Sequence, residues 1–341
     1  MRSRIGIVVL FTLVLAPPSF GVDLAKLNAK LHGTILDYTF NHGEDRRGYS
    51  KALGSKRDIY VYLPPGYGGE KCFPVLVWMH GVINDEKTFL EYAPHFDSLI
   101  AAGKMPATVI VAPDISVNGR VQLLVPGSFG LNTKAGRFED YLIRDVWPWV
   151  KNSFRIESGR DSHWLGGFSM GGYAAYQLAF KYREEFGAAI GLMPPLDLRY
   201  ADAKGGHLGE YDPATVSSRN VFRRSEVVGR FYGFPIRQRI LFNPLFGRFD
   251  PITLDFIKAN NPTDMLADRN ILPNEFALFA GYGTKDEFNM GAQVKRFAEV
   301  ASQRGIAIQV AELPGGKHNN PHGIEFLPAL AEWLTLQTAR R

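Results

Sequence analysis

Short apolar runs alternate with helical patterns along most of this sequence, and this alternation constrains the fold more than any other feature. The apolar runs lie at 34–40, 57–63, 74–79, 107–112, 163–168, 187–193, 275–282 and 306–313. The helical patterns lie at 86–102, 137–154, 170–182, 286–303 and 323–337. The runs at 74–79 and 107–112 have the length and composition of strands buried on both faces of a parallel sheet, and the runs at 34–40 and 57–63 are identified as strands by their β-forming residues between glycines and prolines. The alternation predicts an α/β fold with one mostly parallel, eight-stranded sheet flanked by helices.

The alternation is interrupted between residues 195 and 274, where one crossover would need far fewer residues. In the part of this insertion from Arg219 to Phe249, arginines are interleaved with aromatic residues. A long loop without its own structure would be unusual, and such insertions are often lids or binding elements. We expect a cap over an active site, with a membrane-surface contact and a plain surface elaboration as alternatives. No linker is visible, so residues 22–341 are expected to form one domain.

The N-terminus has the pattern of a secretory signal peptide. Arg2 and Arg4 precede an apolar stretch from Ile5 to Leu15, and small or turn-forming residues follow. The apolar stretch is shorter than the about 20 residues that a membrane span requires. We expect residues 1–21 to be removed and the protein to be secreted or periplasmic, with an uncleaved anchor as the alternative.

Charge and cysteine content exclude some classes of protein. The chain has 39 Lys and Arg against 34 Asp and Glu, and the two signs are mostly interspersed. This pattern lacks the continuous basic face of a nucleic-acid-binding protein, so no nucleic-acid partner is expected. Cys72 is the one cysteine, which rules out an intramolecular disulfide. Its place just before an apolar run predicts a structural thiol that is buried or lies at a strand edge.

The sequence Gly167-Phe168-Ser169-Met170-Gly171 joins one apolar run to a helix rich in small residues. Gly-x-Ser-x-Gly in this context is typical of a nucleophile elbow. The turn holds the serine in a strained conformation, and the glycines avoid clashes with neighbouring backbone. The following helix directs its N-terminal N–H groups and positive dipole end towards charge that develops on a substrate oxygen. Ser169 is therefore the predicted nucleophile.

A serine hydroxyl reacts slowly unless a base accepts its proton and a third group orients that base. After a nucleophile elbow the chain order is Ser, then Asp or Glu, then His, each on a loop at the carboxyl end of a strand. Asp286 follows the run at 275–282, and His318 follows the run at 306–313. The predicted triad is Ser169, Asp286 and His318.

Two neighbours are alternatives for these roles: Glu287 for the acid and His322 for the base. His318 and His322 have the spacing of a metal-binding pair on a helix. Pro321 lies between them, however, and the glutamate of His-Glu-x-x-His is missing, so we predict no zinc site. The chain also lacks a phosphate-binding glycine loop and a dinucleotide-binding fingerprint, so no cofactor is expected.

Hydrolysis by a serine nucleophile also requires an oxyanion hole, whose donors each contribute about 3 kcal/mol to transition-state stabilisation. Met170, directly after the nucleophile, offers one backbone N–H group. The second donor is expected in the loop after the run at 74–79. We predict Val82, with Gly81 as the alternative, and interpret His80 as a residue that orients this loop.

Several segments resemble one esterase family. They are Arg57–Tyr67, Met79–Gly81, Gly167–Gly172, Asp286 and Gly315–His318. Together they span residues 57 to about 335 and resemble the family that includes esterase D (S-formylglutathione hydrolase), feruloyl esterases and the mycolyltransferase antigens. The resemblance implies an α/β-hydrolase fold and acyl transfer from an ester or thioester. It also implies that Ser169, Asp286 and His318 occupy the triad positions.

The chain departs from this family in two places. In the family, a segment with an aromatic residue commonly follows the catalytic histidine, whereas residues 319–322 of this chain contain no Trp or Tyr. The long insertion is the second departure. We expect a secreted serine carboxylesterase that works through an acyl-enzyme, with carbohydrate or feruloyl esters as substrates. One alternative is an acyltransferase that uses a sugar or lipid acceptor, and a peptidase is a weaker one. The non-enzymatic alternative is a hydrolase-fold binding protein that holds an anionic or aromatic partner with residues 219–249.

Overall fold

Eight strands form one sheet at the centre of the structure, a computed structural model that describes residues 22–41, 44–119, 127–231, 233–247 and 251–339. The strands, β1 to β8 in chain order, are Thr34–Tyr38, Ile59–Leu63, Val75–Met79, Val109–Pro113, His163–Phe168, Ala188–Leu192, Ala277–Gly283 and Gln309–Leu313. Their order across the sheet is β1-β2-β4-β3-β5-β6-β7-β8. β2 is antiparallel to both neighbours, and the other neighbours are parallel. The predicted mostly parallel eight-stranded sheet is confirmed.

The helices flank both faces of this sheet. Helices α1 to α11 are Leu24–Asn28, Phe89–Ala101, Phe138–Asp140, Trp147–Ser153, Met170–Lys181, Gln238–Phe246, Pro251–Asn260, Pro262–Asp268, Met290–Gln303, Asn320–Ile324 and Leu327–Ala339. A π-helical turn, Tyr141–Val146, joins α3 to α4, and short 3-10 helices lie at Glu86–Thr88 and Arg160–Ser162. Short antiparallel pairs join Phe40–Asn41 to Glu44–Asp45, Gly48–Ser50 to Ser55–Arg57, and Asn132–Thr133 to Gly136–Arg137.

Side-chain alternation divides the core into two layers. In β3, Val75 and Val77 belong to the cluster that includes residues of α4, α5 and α9, whereas Leu76 and Trp78 belong to the cluster with α2 and α11. Every residue of β3, β4, β5 and β6 is buried, as expected for parallel strands covered on both faces. The edge strands β1 and β8 are partly exposed.

Two predicted helices have different bounds in the structure. The helix predicted from Asp286 begins at Met290, because Oδ1 of Asp286 accepts a hydrogen bond from the backbone N of Phe288 at 2.8 Å and Asn289 has a left-handed φ of 58°. This side-chain turn competes with helix formation. The helix predicted at 323–337 is two helices, α10 and α11. Pro328, the second residue of α11, lacks an N–H group and fits best in a first turn, where the N–H groups have no partner within the helix.

The predicted insertion at 195–274 contains regular structure. Tyr200–Ala201 pairs with Ser217–Ser218, Val227–Phe231 pairs with Phe234–Arg237, and α6, α7 and α8 follow. Its aromatic residues divide between core and surface. Phe242 is buried and stacks on Phe129 with ring centroids 6.1 Å apart, whereas Phe234 is 74% exposed. The insertion thus packs on the rest of the fold through Phe242.

Two further predictions concern Cys72 and the N-terminus. Of the two positions predicted for Cys72, the buried one is wrong, because the residue is exposed. Cys72 directly precedes the buried Phe73, which bridges to Ile156 before strand β3, and this fits the alternative of a strand edge. The predicted signal peptide, residues 1–21, lies outside the described residues. Within the described part of the chain, no helix has the length and apolar character that a membrane crossing needs.

Candidate active site

Ser169 lies in a sharp turn between β5 and α5. Its backbone has φ 52° and ψ −117°, a conformation that costs a residue with a side chain about 1–3 kcal/mol. Gly167 makes the turn possible, because a Cβ there would lie 2.3 Å from the carbonyl oxygen of Met79 on the neighbouring strand β3. The carbonyl of Ser169 accepts the backbone N–H of Tyr173 at 3.1 Å, which starts the helix directly behind the hydroxyl. The geometry is that of a nucleophile elbow.

The structure brings the three predicted triad residues together. Nε2 of His318 lies 2.8 Å from Oγ of Ser169, and Nδ1 of His318 lies 2.7 Å from Oδ2 of Asp286. The side chain of His318 is 10% exposed and that of Asp286 is 2% exposed. When Nδ1 of His318 carries the ring proton and hydrogen-bonds to the carboxylate of Asp286, Nε2 carries no proton. Nε2 can then accept the hydroxyl proton of Ser169.

The loops after β7 and β8 are tied together, which fixes the acid relative to the base. The backbone N of Thr284 donates to the carbonyl of Leu313 at 3.0 Å, and the N of Gly315 donates to Oγ1 of Thr284 at 2.8 Å. The rings of Phe168 and Phe288 pack on the imidazole of His318, with centroids 5.2 and 4.8 Å away. These contacts orient His318 without using its nitrogen atoms.

The two alternative residues make other contacts. Oε2 of Glu287 accepts the backbone N–H of His318 at 2.9 Å, so its carboxylate contacts the main chain of the histidine. Nδ1 of His322 lies 2.7 Å from Oδ1 of Asn319. Asp286 and His318 are therefore the pair in line with Ser169.

The predicted oxyanion donors lie beside Ser169. Met170 is fully buried at the start of α5, and both Gly81 and Val82 border the same cavity as Ser169. Gly81 and Asn84 close a tight turn in which the N of Asn84 donates to the carbonyl of Gly81 at 3.2 Å. His80 is buried and Nε2 accepts the backbone N–H of Ile115 at 2.9 Å, so it links this loop to the end of β4.

A cavity of about 360 Å³ opens beside the serine. Residues from the sheet loops and from the insertion both line it. The insertion supplies mainly apolar side chains, among them Leu198, Val228, Phe231, Ile236, Leu241 and Phe242. A concave, mainly apolar site with few polar groups is typical of small-molecule binding sites.

Besides Ser169 and His318, the cavity is lined by polar residues to which sequence reasoning assigned no role in the site. Gln238 and Gln293 line it, together with His207 and Arg219. Burial, followed by the nearby Arg219 charge, lowers the pKa of His207 to about 3, so its imidazole is neutral. Only Arg219 was named in the sequence, as part of the insertion's basic pattern; no local signal distinguishes a glutamine that faces a cavity from one that faces solvent.

The strand order and the Ser-His-Asp arrangement define a protein of the α/β-hydrolase class. The chain belongs to the family described as "Putative esterase", whose model matches residues 50–332. It is 26% identical over 282 residues to an esterase of Mycobacterium tuberculosis, an alignment that covers 79% of this chain. The chain spans about half of the curated relatives it matches, since the alignment covers 54% of their length.

Solved structures of esterases share the fold. A ferulic acid esterase superposes with a TM-score of 0.64 at 17% identity, over 90% of this chain and 99% of its own. An S-formylglutathione hydrolase from Agrobacterium tumefaciens superposes with a TM-score of 0.62 at 17% identity, over 90% and 96%. A ferulic acid esterase from Anaeromyces mucronatus, in complex with ferulic acid, superposes with a TM-score of 0.54 at 18% identity, over 89% of this chain and 91% of its own. Identities this low establish the fold alone.

Proposed function

We propose that this protein is a serine carboxylesterase that acts outside the cytoplasm. One observation carries the proposal: the imidazole of His318 lies within hydrogen-bond distance of both Oγ of Ser169 and Oδ2 of Asp286. Membership of the esterase family supports the same reaction class. The signal-peptide pattern at residues 1–21 supports the location.

In the proposed mechanism, Oγ of Ser169 attacks the ester carbonyl while Nε2 of His318 takes the hydroxyl proton. Asp286 holds the imidazole in the required tautomer and stabilises the imidazolium. The N–H groups of Met170 and Val82 bind the oxyanion, with the N-terminus of α5 behind it. His318 then protonates the leaving alcohol, and water releases the acyl group from Ser169 by the reverse sequence.

The substrates we propose are esters with an apolar or aromatic acyl group, including feruloyl or other carbohydrate-linked esters. The cavity beside Ser169 has room for such a group, and its apolar walls favour burial of hydrocarbon. Structures that are similar to this chain include ferulic acid esterases, one of them in complex with ferulic acid. No residue of the proposed mechanism requires a metal or a cofactor.

The test is hydrolysis of p-nitrophenyl acetate, butyrate and ferulate by the purified protein and by a Ser169→Ala variant. We expect kcat/KM to fall at least about a thousandfold in this variant, because the nucleophile is lost. Ser302→Ala, an exposed serine on α9, is the matched control and should hydrolyse the esters at the parent rate. Equal rates for Ser169→Ala and the parent would refute the proposal.

A further inference from the structure

Gln238, the first residue of α6, is a buried amide in the wall of the cavity. Its exposed fraction is 0%, and it lines the same cavity as Ser169 and His318. Its backbone N donates to the carbonyl of Glu226 at 2.9 Å. Among the described residues, neither Oε1 nor Nε2 of its side chain has a hydrogen-bond partner. A buried polar side chain that is left unpaired is costly, and a native protein usually retains one for a reason.

The part of the cavity wall that the insertion supplies is mainly apolar. Neighbouring wall residues of the insertion include Ile236, Ile240, Leu241 and Phe242, which offer no side-chain hydrogen-bonding groups. A few polar groups in an otherwise apolar cavity fix the orientation of a ligand and decide which ligand binds. The amide of Gln238 offers an acceptor oxygen and a donor NH2 group, and these indicate which group of a ligand would bind beside it.

The nearby positive charge is already neutralised. Nη1 of Arg219 pairs with Oε2 of Glu226, and Nη2 donates to the carbonyl of Leu198 at 3.2 Å and to Nδ1 of His207 at 3.3 Å. A substrate carboxylate would therefore find no free cation among these side chains. A neutral group that both donates and accepts, such as a hydroxyl, satisfies both Nε2 and Oε1 of Gln238.

We propose that Gln238 is a specificity-determining residue that hydrogen-bonds a neutral hydroxyl group on the acyl part of the substrate, remote from the ester carbonyl. This inference rests on the proposed function. The acyl part is chosen because it remains bonded to Ser169 in the acyl-enzyme, and Ser169 and Gln238 line one cavity. No described residue pairs with the amide of Gln238 in the free protein. A hydroxyl on the acyl group would pair with it, whereas an apolar acyl group leaves it unpaired.

The test compares pairs of p-nitrophenyl esters that differ by hydroxyl in place of methyl: para-hydroxycinnamate against para-methylcinnamate, and hexanoate with a terminal hydroxyl against heptanoate. In at least one pair, we expect the parent enzyme to prefer the hydroxyl ester by about tenfold or more in kcat/KM. In Gln238→Met, which is similar in length, the preference should disappear. Gln309→Met, an exposed glutamine on β8, is the control and should keep it.

Unfolding temperature gives a second readout that does not depend on activity. Replacing an unpaired buried amide by an apolar side chain should raise the Tm of the free protein, by about 2 °C or more, in Gln238→Met but not in Gln309→Met. Equal kcat/KM within both ester pairs, or a preference that persists in Gln238→Met, would overturn the inference while ester hydrolysis stands. If the parent hydrolyses none of the esters, the proposed function itself fails.

Discussion

Gly171 lies against the carbonyl group of Met79, so closely that a Cβ on Gly171 would be 2.0 Å from that oxygen and 2.4 Å from its carbon. Both atoms belong to the backbone of the central strand β3 and cannot move without disturbing the sheet. The second glycine of the Gly-x-Ser-x-Gly sequence is therefore required by the contact between α5 and β3.

We predict that Gly171→Ala lowers the free energy of unfolding by more than about 2 kcal/mol, although alanine is the better helix former. Ester hydrolysis should also fall, because a shift of α5 moves Ser169. Urea unfolding and kcat/KM measure the two effects. Gly159→Ala is the control: its φ is −79°, and a Cβ there has nothing within 4 Å. If Gly171→Ala and Gly159→Ala both unfold at the same urea concentration as the parent, Gly171 does not lie as close to the Met79 carbonyl as described.

Asp286 and Glu287 can be distinguished as the acid by a matched pair of variants. Asp286→Asn should lower kcat by about 10³–10⁴-fold, because the amide neither holds the correct imidazole tautomer nor stabilises the imidazolium. Glu287→Gln should lower kcat less than about tenfold, since Glu287 accepts only the backbone N–H of His318. Steady-state kinetics on p-nitrophenyl butyrate measure both. If Glu287→Gln lowers kcat more than Asp286→Asn does, Glu287 is the acid.

The oxyanion donor in the loop after β3 can be tested by removing one N–H group. Val82 is the second residue of the turn closed by Gly81 and Asn84, a position where proline is favoured. Val82→Pro should keep the turn but lower kcat about 10²–10³-fold. Val82→Ala keeps the N–H and should stay within a few fold of the parent. If the proline variant hydrolyses esters as fast as the alanine variant, Gly81 becomes the candidate donor.

Asp197 makes stability depend on pH in an unusual direction. It is fully buried, and burial raises its pKa from 3.8 to about 6, although the side chain of Asn261 donates to it at 2.9 Å. The folded state therefore binds a proton more tightly than the unfolded state. Stability from this group is fully present below about pH 3.8 and is lost as pH rises through about 6.

We expect Asp197→Asn to be more stable than the parent at pH 8 by up to about 3 kcal/mol, and equally stable near pH 4. Urea unfolding at the two pH values measures this difference. Asp268→Asn, an exposed aspartate on α8, is the control and should change stability little at either pH. A parent that is the more stable protein at pH 8 would contradict the raised pKa.

The eight strands and the elbow could be predicted because their signals are local. A strand buried on both faces must be apolar throughout, as Val75–Met79 is, and the turn at Ser169 needs glycines two residues away on each side. The start of α9 could not be predicted, because the apolar pattern continues back to Asp286 while the side chain of Asp286 bonds to its own backbone.

The sequence by itself determined the fold class and the positions of the proposed nucleophile, acid and base, because apolar periodicity and turn residues act over a few neighbouring positions. Only the tertiary structure showed that Asp286 and His318 lie in line with Ser169 while Glu287 and His322 make other contacts, because neighbouring side chains of similar chemistry point in different directions. It also decided that Gln238 is buried in the wall of the cavity. That environment comes from the packing of distant segments, which no local pattern of residues encodes.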